Sequence, residues 1–194
     1  MPLNVLLLGP QGAGKGTQAK RIEAEYDIPH IASGEILRAA MASGSELGKQ
    51  VESVVNAGEL VSDDLMIEVI RDRLAAEDTE SGFILDGFPR TTAQAEALDH
   101  MFGDIGRSFS VVFALQIPDD VAFERLRRRA QIEGRADDTD DAIQRRLDNY
   151  HRETEPLIEY YRVRGNLVPV HGERSQNVVF AEIQAALQQV AVTP

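Results

Sequence analysis

The stretch from Leu3 to Gln18, LNVLLLGPQGAGKGTQ, constrains this chain most, because it dictates a strand, a turn and a helix in a fixed order. Asn4 to Leu8 is a mostly apolar run of strand length. Gly9-Pro10-Gln11-Gly12-Ala13-Gly14-Lys15-Gly16-Thr17 follows. It matches the phosphate-loop pattern G-x-x-x-x-G-K, with the hydroxyl residue one place later than in the strict form. Glycines let the backbone curl, so that successive N–H groups converge on phosphate oxygens. The helix that opens after the loop adds its N-terminal partial positive charge, and Lys15 adds a full one. Gly-rich strand-to-helix turns also arise for packing alone. Strand, loop, lysine and helix in this order read as a phosphate cradle.

The remaining chain repeats the alternation. Ala19, Ile22 and Tyr26 share one face of the first helix. His30 and Ile31 form a second short strand, and Ser33 is placed to cap the helix after it. Ile36 to Met41, then Leu47, Val51, Val54 and Val55, mark a helical pair that Gly44 interrupts and Gly58 ends. Ser62-Asp63-Asp64 starts another helix. Phe83 to Leu85 is a third strand that stops at Asp86, and Thr91 opens a helix carrying Leu98, Met101 and Phe102. Val111 to Ile117 is a fourth, almost continuously apolar strand, as parallel central strands tend to be. Asp119 caps a helix ending in Arg125-Leu126-Arg127-Arg128-Arg129, and a polar segment runs from Gln131 to Asp138. Thr139 begins a long helix with Ile143, Leu147, Tyr150, Leu157 and Tyr161 in phase, kinked at Pro156. Leu167 to Val170 is a fifth strand, and Val179, Ile183, Leu187 and Val190 line a last helix. The pattern predicts an α/β fold, with a five-stranded parallel sheet between helical layers. In such sheets ligands sit beyond the carboxyl ends of the strands, where the loop and Asp86 both fall.

The 194 residues suit one domain with small insertions. With no cysteine, disulfides and thiolate metal sites are excluded, which fits a cytoplasmic protein. No run resembles a signal peptide or spans a bilayer, so no membrane partner is expected. The net charge of -12 argues against nucleic acid as a partner. It is also awkward for binding anions, so positive charge must be concentrated locally. Of the 20 basic residues, 17 are arginine and 3 are lysine.

A second motif is Phe83-Ile84-Leu85-Asp86-Gly87-Phe88-Pro89-Arg90. An Asp ending an apolar strand in a phosphate-loop protein stands where a Mg²⁺-holding carboxylate is expected; a plain turn or helix cap is the other reading. GPQGAGKGTQ, then ASGEILR, AGELV, LDGFPRTTAQ, GRADD and RRLDNY, in this order through essentially the whole chain, resemble an adenylate kinase of the short-lid form.

The resemblance implies a P-loop core of residues 1–31, 62–127 and 139–194, a nucleoside-monophosphate clamp of residues 32–61 and a short lid of residues 128–138. ATP phosphates would meet Gly12, Ala13, Gly14, Lys15, Gly16 and Thr17, and the backbone at Arg174 would border the ATP adenine. Ser33, Arg38, Gly87, Phe88, Pro89 and Arg90 would surround AMP, with Glu59, Leu60 and Val61 passing its adenine. Arg38 and Arg90 suit phosphate because a planar guanidinium can hold two oxygens at once. Gln94 would read the base edge, since a carboxamide donates and accepts together. Spacing alone leaves that role and a Thr91-x-x-Gln94 capping box equally open. UMP/CMP kinases carry an asparagine in this stretch, so the resemblance favours AMP.

Arg129, Arg135 and Arg146 would contact the transferring phosphates, with Arg125 in support, while Arg127, Arg128 and Arg145 are expected on a solvated face. Asp137 and Asp138 resemble an acidic pair that holds the lid arginines, although a helix N-terminal charge is an equal account of Asp138. A short lid without cysteine cannot hold the zinc of long-lid relatives. Two departures from the family stand out, Ala130 for a hinge glycine and Glu59 for a lysine; Gly16 departs only from classical phosphate loops, where a hydroxyl ligates Mg²⁺, and fits the nucleoside-monophosphate kinase version. Mg²⁺ would then be held by nucleotide phosphates and water, with Asp86 acting through water. The implied reaction is Mg·ATP + AMP ⇌ 2 ADP by a monomer in adenine-nucleotide homeostasis, without a general base, as none of the four histidines has a marked context. A UMP/CMP kinase and a P-loop switch are the alternatives, although the switch lacks an Asn-Lys-x-Asp guanine tetrad.

Overall fold

The computed structural model describes residues 2–134 and 138–192. Five strands, β1 (Leu3–Leu8), β2 (His30–Ala32), β3 (Gly82–Asp86), β4 (Val111–Gln116) and β5 (Leu167–His171), form one parallel sheet in the order β2-β3-β1-β4-β5. Leu7 is level with Asp86, and Ala32 is level with the same residue on the other side. The carboxyl ends of the three strands therefore share one rim. The central strands β1, β3 and β4 are almost wholly apolar because both their faces are covered. Side chains alternate across the pleat. Leu6, Leu8, Phe83, Leu85 and Val112 thus join one core, and Val5, Leu7, Ile84, Val111 and Phe113 join the other.

The second core is closed by α1 (Lys15–Tyr26) through Ala19 and Ile22, and by α9 (Gln176–Val192) through Val179, Ile183 and Leu187. The first is closed by α4 (Asp63–Leu74), α5 (Thr92–Asp104) and α8 (Pro156–Arg162). The helical pair α2 (Ser33–Ser43) and α3 (Glu46–Asn56) adds only Leu37 and Val51 to that core's fully buried set. A third, small cluster (Ala122, Leu126, Ile143, Leu147) joins α6 (Asp119–Glu133) to α7 (Asp140–Asn149).

Four local expectations need correction. Ser33 does not cap α2: Ala32 holds the cap position, and the Ser33 hydroxyl donates to Gly87 O at 2.7 Å. Asp119 does not cap α6, since Pro118 does, and the Asp119 carboxylate turns to His151 instead. The helix from Thr139 is broken before Pro156, by a π-helical turn over Tyr150–Thr154 in which Glu155 N reaches back to Tyr150 O at 2.8 Å. A proline ring clashes with the carbonyl four residues back, and widening the turn that precedes it relieves the clash. Finally, residues 128–133 continue α6, so Ala130 lies inside a helix.

Candidate active site

The first wall of the site is the loop between β1 and α1. Gly12 has φ 84, and a Cβ there would lie 2.8 Å from Ala122 O, so only glycine lets α6 pack against the loop. Gly14 takes the left-handed conformation that starts α1. Lys15 Nζ donates to Gly9 O at 2.7 Å and to Pro10 O at 2.9 Å, which folds the ammonium back across the loop. Burial pulls its pKa down to about 8; Asp86 opposes the shift, while Arg90 and Arg129 add to it. A cation surrounded by other cations is poised to gain from an arriving anion.

Asp86 ends β3 and faces the start of α1, where a Cβ on Gly16 would lie 3.8 Å from its Oδ2. Burial pushes the carboxyl toward its neutral form. The hydrogen bond from His30 and the charges of Lys15 and Arg90 outweigh this and hold it below the usual carboxylate range. His30 Nε2 lies 3.4 Å from Asp86 Oδ2, with its side chain 5% exposed, so this histidine does have a marked context. Asp86 is the carboxylate set against the phosphate loop, and no group of three or more metal-ligating side chains exists among the described residues. That donor set suits Mg²⁺, which keeps most of its water and takes one or two carboxylates plus phosphate oxygens.

The second wall comes from α2, the turn after β3 and the start of α5. Arg38 folds back over Gly34, whose Cβ would lie 3.2 Å from Arg38 Nη1. The Phe88–Pro89 peptide is cis. Arg90 Nε and the Ser33 hydroxyl both donate to Gly87 O at 2.7 Å, which aims the guanidinium into the cleft. Thr154, in the π-helical turn, donates to Arg90 O at 2.8 Å. Thr91 caps α5 by accepting the Gln94 N–H at 3.2 Å, while Gln94 Oε1 accepts from Arg90 N at 2.7 Å. Gln94 thus serves the helix end one residue earlier than a capping box would. Phe88 departs from its expected place: it is 1% exposed and packed in the first core beneath the turn.

The third wall is built from arginines held by one acid. Asp138 is 5% exposed and accepts from Arg129 Nε at 2.8 Å and Nη2 at 2.9 Å, and also from Arg146 Nη1. Asp138 therefore holds arginines and is not merely a charge ahead of α7, whose cap is Thr139. Arg146 Nη2 further reaches Val55 O in α3 at 3.4 Å. Arg125 Nη1 donates to Gly172 O at 2.9 Å and Gly12 O at 3.3 Å, clasping the loop to the segment after β5. Arg135 and Asp137 lie outside the described residues.

One cleft of about 770 Å³ gathers these walls, a size suited to ligands of nucleotide dimensions. Its lining includes Gly12 to Thr17, Ser33, Arg38, Glu59, Leu60, Val61, Asp86, Gly87, Pro89, Arg90, Gln94, Arg129, Arg146 and Arg174. Arg174 pairs with Glu182, and Glu59 accepts from Asn149 Nδ2 at 3.2 Å. Arg128 is exposed, as expected of a solvated face, and it also borders the cleft. Arg127 pairs with Asp140 at 3.2 Å, and Arg145 reaches Ala57 O at 3.3 Å, both outside the lining. His30, Thr154 and Gly172 line the cleft without having been expected there. The start of a short strand could have flagged His30; nothing in the sequence could flag Thr154, which a π-helical turn delivers.

Comparison with known proteins agrees with this geometry. The sequence profile described as "Adenylate kinase" matches residues 7–166. An adenylate kinase of Phenylobacterium zucineum (strain HLK1) is 47% identical over 189 residues, covering 97% of this chain and 100% of that protein. One from Stenotrophomonas maltophilia (strain K279a) is 43% identical over 186 residues, 96% of this chain and 100% of its own length. One from Cyanothece sp. (strain PCC 7425 / ATCC 29141) is 44% identical over 186 residues, with 96% and 95% covered.

Proposed function

Because this chain belongs to the adenylate kinase family and is a phosphotransferase acting on ATP and AMP, we propose that its cleft seats the two nucleotides on opposite walls with their phosphates meeting between Lys15 and Arg90. The loop wall would take the ATP phosphates on the backbone of Gly12 to Thr17 and on Lys15, with Arg174 beside the ATP base. The other wall would take AMP: Arg38 and Arg90 on its phosphate, Ser33 and Gly87 beside its sugar, Glu59, Leu60 and Val61 along its base, and Gln94 at the base edge. Phe88 supports that wall from the core. Arg129, Arg146 and Arg135 would neutralise charge on the moving phosphoryl group. A single observation carries this reading: Lys15, Arg90, Arg129 and Arg146 converge on one cleft at the carboxyl rim of an otherwise acidic protein.

An AMP phosphate oxygen is already anionic, so no side chain has to remove a proton. The protein's work is positioning and electrostatic stabilisation, by groups whose orientation is set before substrate arrives. Mg²⁺ would be held by Asp86, through water, and by nucleotide phosphates, where it would neutralise phosphate charge. Residues 32–61 would act as a clamp and residues 128–138 as a lid against residues 1–31, 62–127 and 139–194. Their closure would exclude water, which would otherwise accept the phosphoryl group. No helix among the described residues is long and apolar enough to cross a membrane, and a cytoplasmic monomer is the setting we propose.

Arg90→Ala tests the assignment. We expect turnover to fall about 10²–10³-fold, as when one preorganised donor is lost from a transition-state site, with a melting temperature close to the parent's. A variant with parental rates would remove Arg90 from the site.

A further inference from the structure

Gln94 sits in a closed ring of hydrogen bonds. Its Oε1 accepts from the backbone N–H of Arg90 at 2.7 Å, and its Nε2 donates to Asp63 Oδ1 at 2.8 Å. Thr91 completes the ring, its hydroxyl donating to the same Asp63 oxygen at 3.0 Å while accepting the Gln94 backbone N–H at 3.2 Å. The two partners of the amide each have a single polarity: a peptide N–H only donates, and a carboxylate only accepts. Which end of the amide is oxygen and which is nitrogen is therefore fixed by its neighbours. Turning it over would set NH₂ against an N–H, and a carbonyl against a carboxylate. Gln94 is 2% exposed yet lines the cleft, so few other partners compete for it. Asp63 is the first residue of α4 and belongs to none of the sequence motifs.

Resting on the reading of Gln94 as the base reader, we propose that Asp63 is a positioning residue that locks the Gln94 amide and thereby selects amino-substituted bases over their oxo counterparts. The locked amide retains one N–H and one lone pair. Together they match an edge with a ring-nitrogen acceptor beside an exocyclic amine, as in adenine. Hypoxanthine has nearly the same shape but carries N1–H beside a 6-oxo group, the inverse order. To receive it, Gln94 must turn over, opposing Arg90 N–H and Asp63 at once. Selectivity then comes from a penalty on the wrong base as well as from contacts with the right one. Cytosine presents its amine and ring nitrogen in the adenine order. The device therefore separates amino from oxo bases, not purines from pyrimidines.

Asp63→Asn tests this, because the new side chain can present its NH₂ to a turned-over Gln94 and remove one of the two opposing contacts. With ATP as donor, kcat/KM is measured for AMP, IMP and CMP. The IMP-to-AMP ratio is expected to rise about tenfold, the scale of one relieved polar mismatch. The CMP-to-AMP ratio and the KM for ATP should stay within twofold. Gln94→Ala is run beside it and should also raise the IMP-to-AMP ratio. If Gln94→Ala moves that ratio and Asp63→Asn does not, Asp63 does not position the amide and the inference falls alone. If neither variant moves it, Gln94 does not read the base, and both readings fall. A Asp63→Asn variant that raises the IMP and CMP ratios equally has merely loosened the clamp, which also overturns the inference.

Discussion

The loop wall and the arginine wall of the cleft, the latter formed by the second and third walls together, present positive charge to the same space but are built differently. In the loop wall, the geometry is written in consecutive residues: glycine conformations shape the backbone, and Lys15 is anchored to carbonyls six and five residues before it. In the arginine wall, Arg90, Arg129 and Arg146 arrive from the turn after β3, from α6 and from α7. None is anchored by its own loop alone; Thr154 holds the backbone of Arg90, and Asp138 holds the other two side chains. A wall made of backbone survives changes elsewhere in the protein. A wall made of side chains from separate elements depends on the distant groups that hold it, Thr154 and Asp138, and is the easier of the two to dismantle from a distance.

The comparison breaks most visibly at Lys15. Lys15→Met keeps the volume and removes the only side-chain cation of the loop itself. Phosphoryl transfer should fall about 10³-fold or more, since a preorganised charge on the transferring phosphates is lost, while the circular dichroism spectrum stays the same. Retained turnover would mean that the loop works through its backbone alone.

The next largest effect is expected at Asp138. Asp138→Asn leaves the shape but removes the charge shared by Arg129 and Arg146, which are 28% and 11% exposed. Removing one member of such a buried set leaves like charges facing each other, at a cost of about 3 kcal/mol. Chemical denaturation should report that loss, and turnover should drop about tenfold to a hundredfold as both guanidiniums lose their aim. A variant that loses stability but keeps its rate would show that the two arginines find the phosphates without the acid.

The same contrast explains what was legible in the sequence. The phosphate loop was readable because its partners lie within a few residues, and the strands because burial on both faces makes them continuously apolar. Asp86 was readable as the polar end of β3. Ser33 has neighbours that suggest a helix cap, but the parallel pairing of β2 with β3 brings Gly87 O within reach, and that oxygen accepts the hydroxyl's hydrogen bond. Phe88 stands beside site residues in the chain, yet the turn points it into the core. Arg128 is exposed like Arg127, but a run of arginines does not say which of its members also borders the cleft. His30 acquires its meaning from Asp86, 56 positions away. The ring around Gln94 depends on Asp63, which only the packing of α4 against α5 brings near. Local motifs announce chemistry made within one turn of chain, and stay silent about side chains that meet only through the sheet order.

The smallest expected effect sharpens the comparison at the far end of the arginine wall. His151 follows α7, and its ring bridges Glu155 at 2.8 Å through Nδ1 and Asp119, at the start of α6, at 2.9 Å through Nε2. Hydrogen bonds that the ring donates to Glu155 first, and then to Asp119, outweigh desolvation and raise its pKa above the ordinary histidine value. Both ring nitrogens can donate only in the imidazolium, so the proton ties the two arginine-bearing helices together. A raised folded-state pKa means that this contribution is complete below the unfolded value of about 6.5. It is lost as pH rises through the folded value. His151→Gln should therefore lower the melting temperature by a few degrees at pH 5.5, and by less at pH 8.5. The pair is largely exposed, so added salt should shrink the difference further. If the difference instead grows with pH, the neutral ring supplies the tie, and the arginine wall is held at this end by packing rather than by charge.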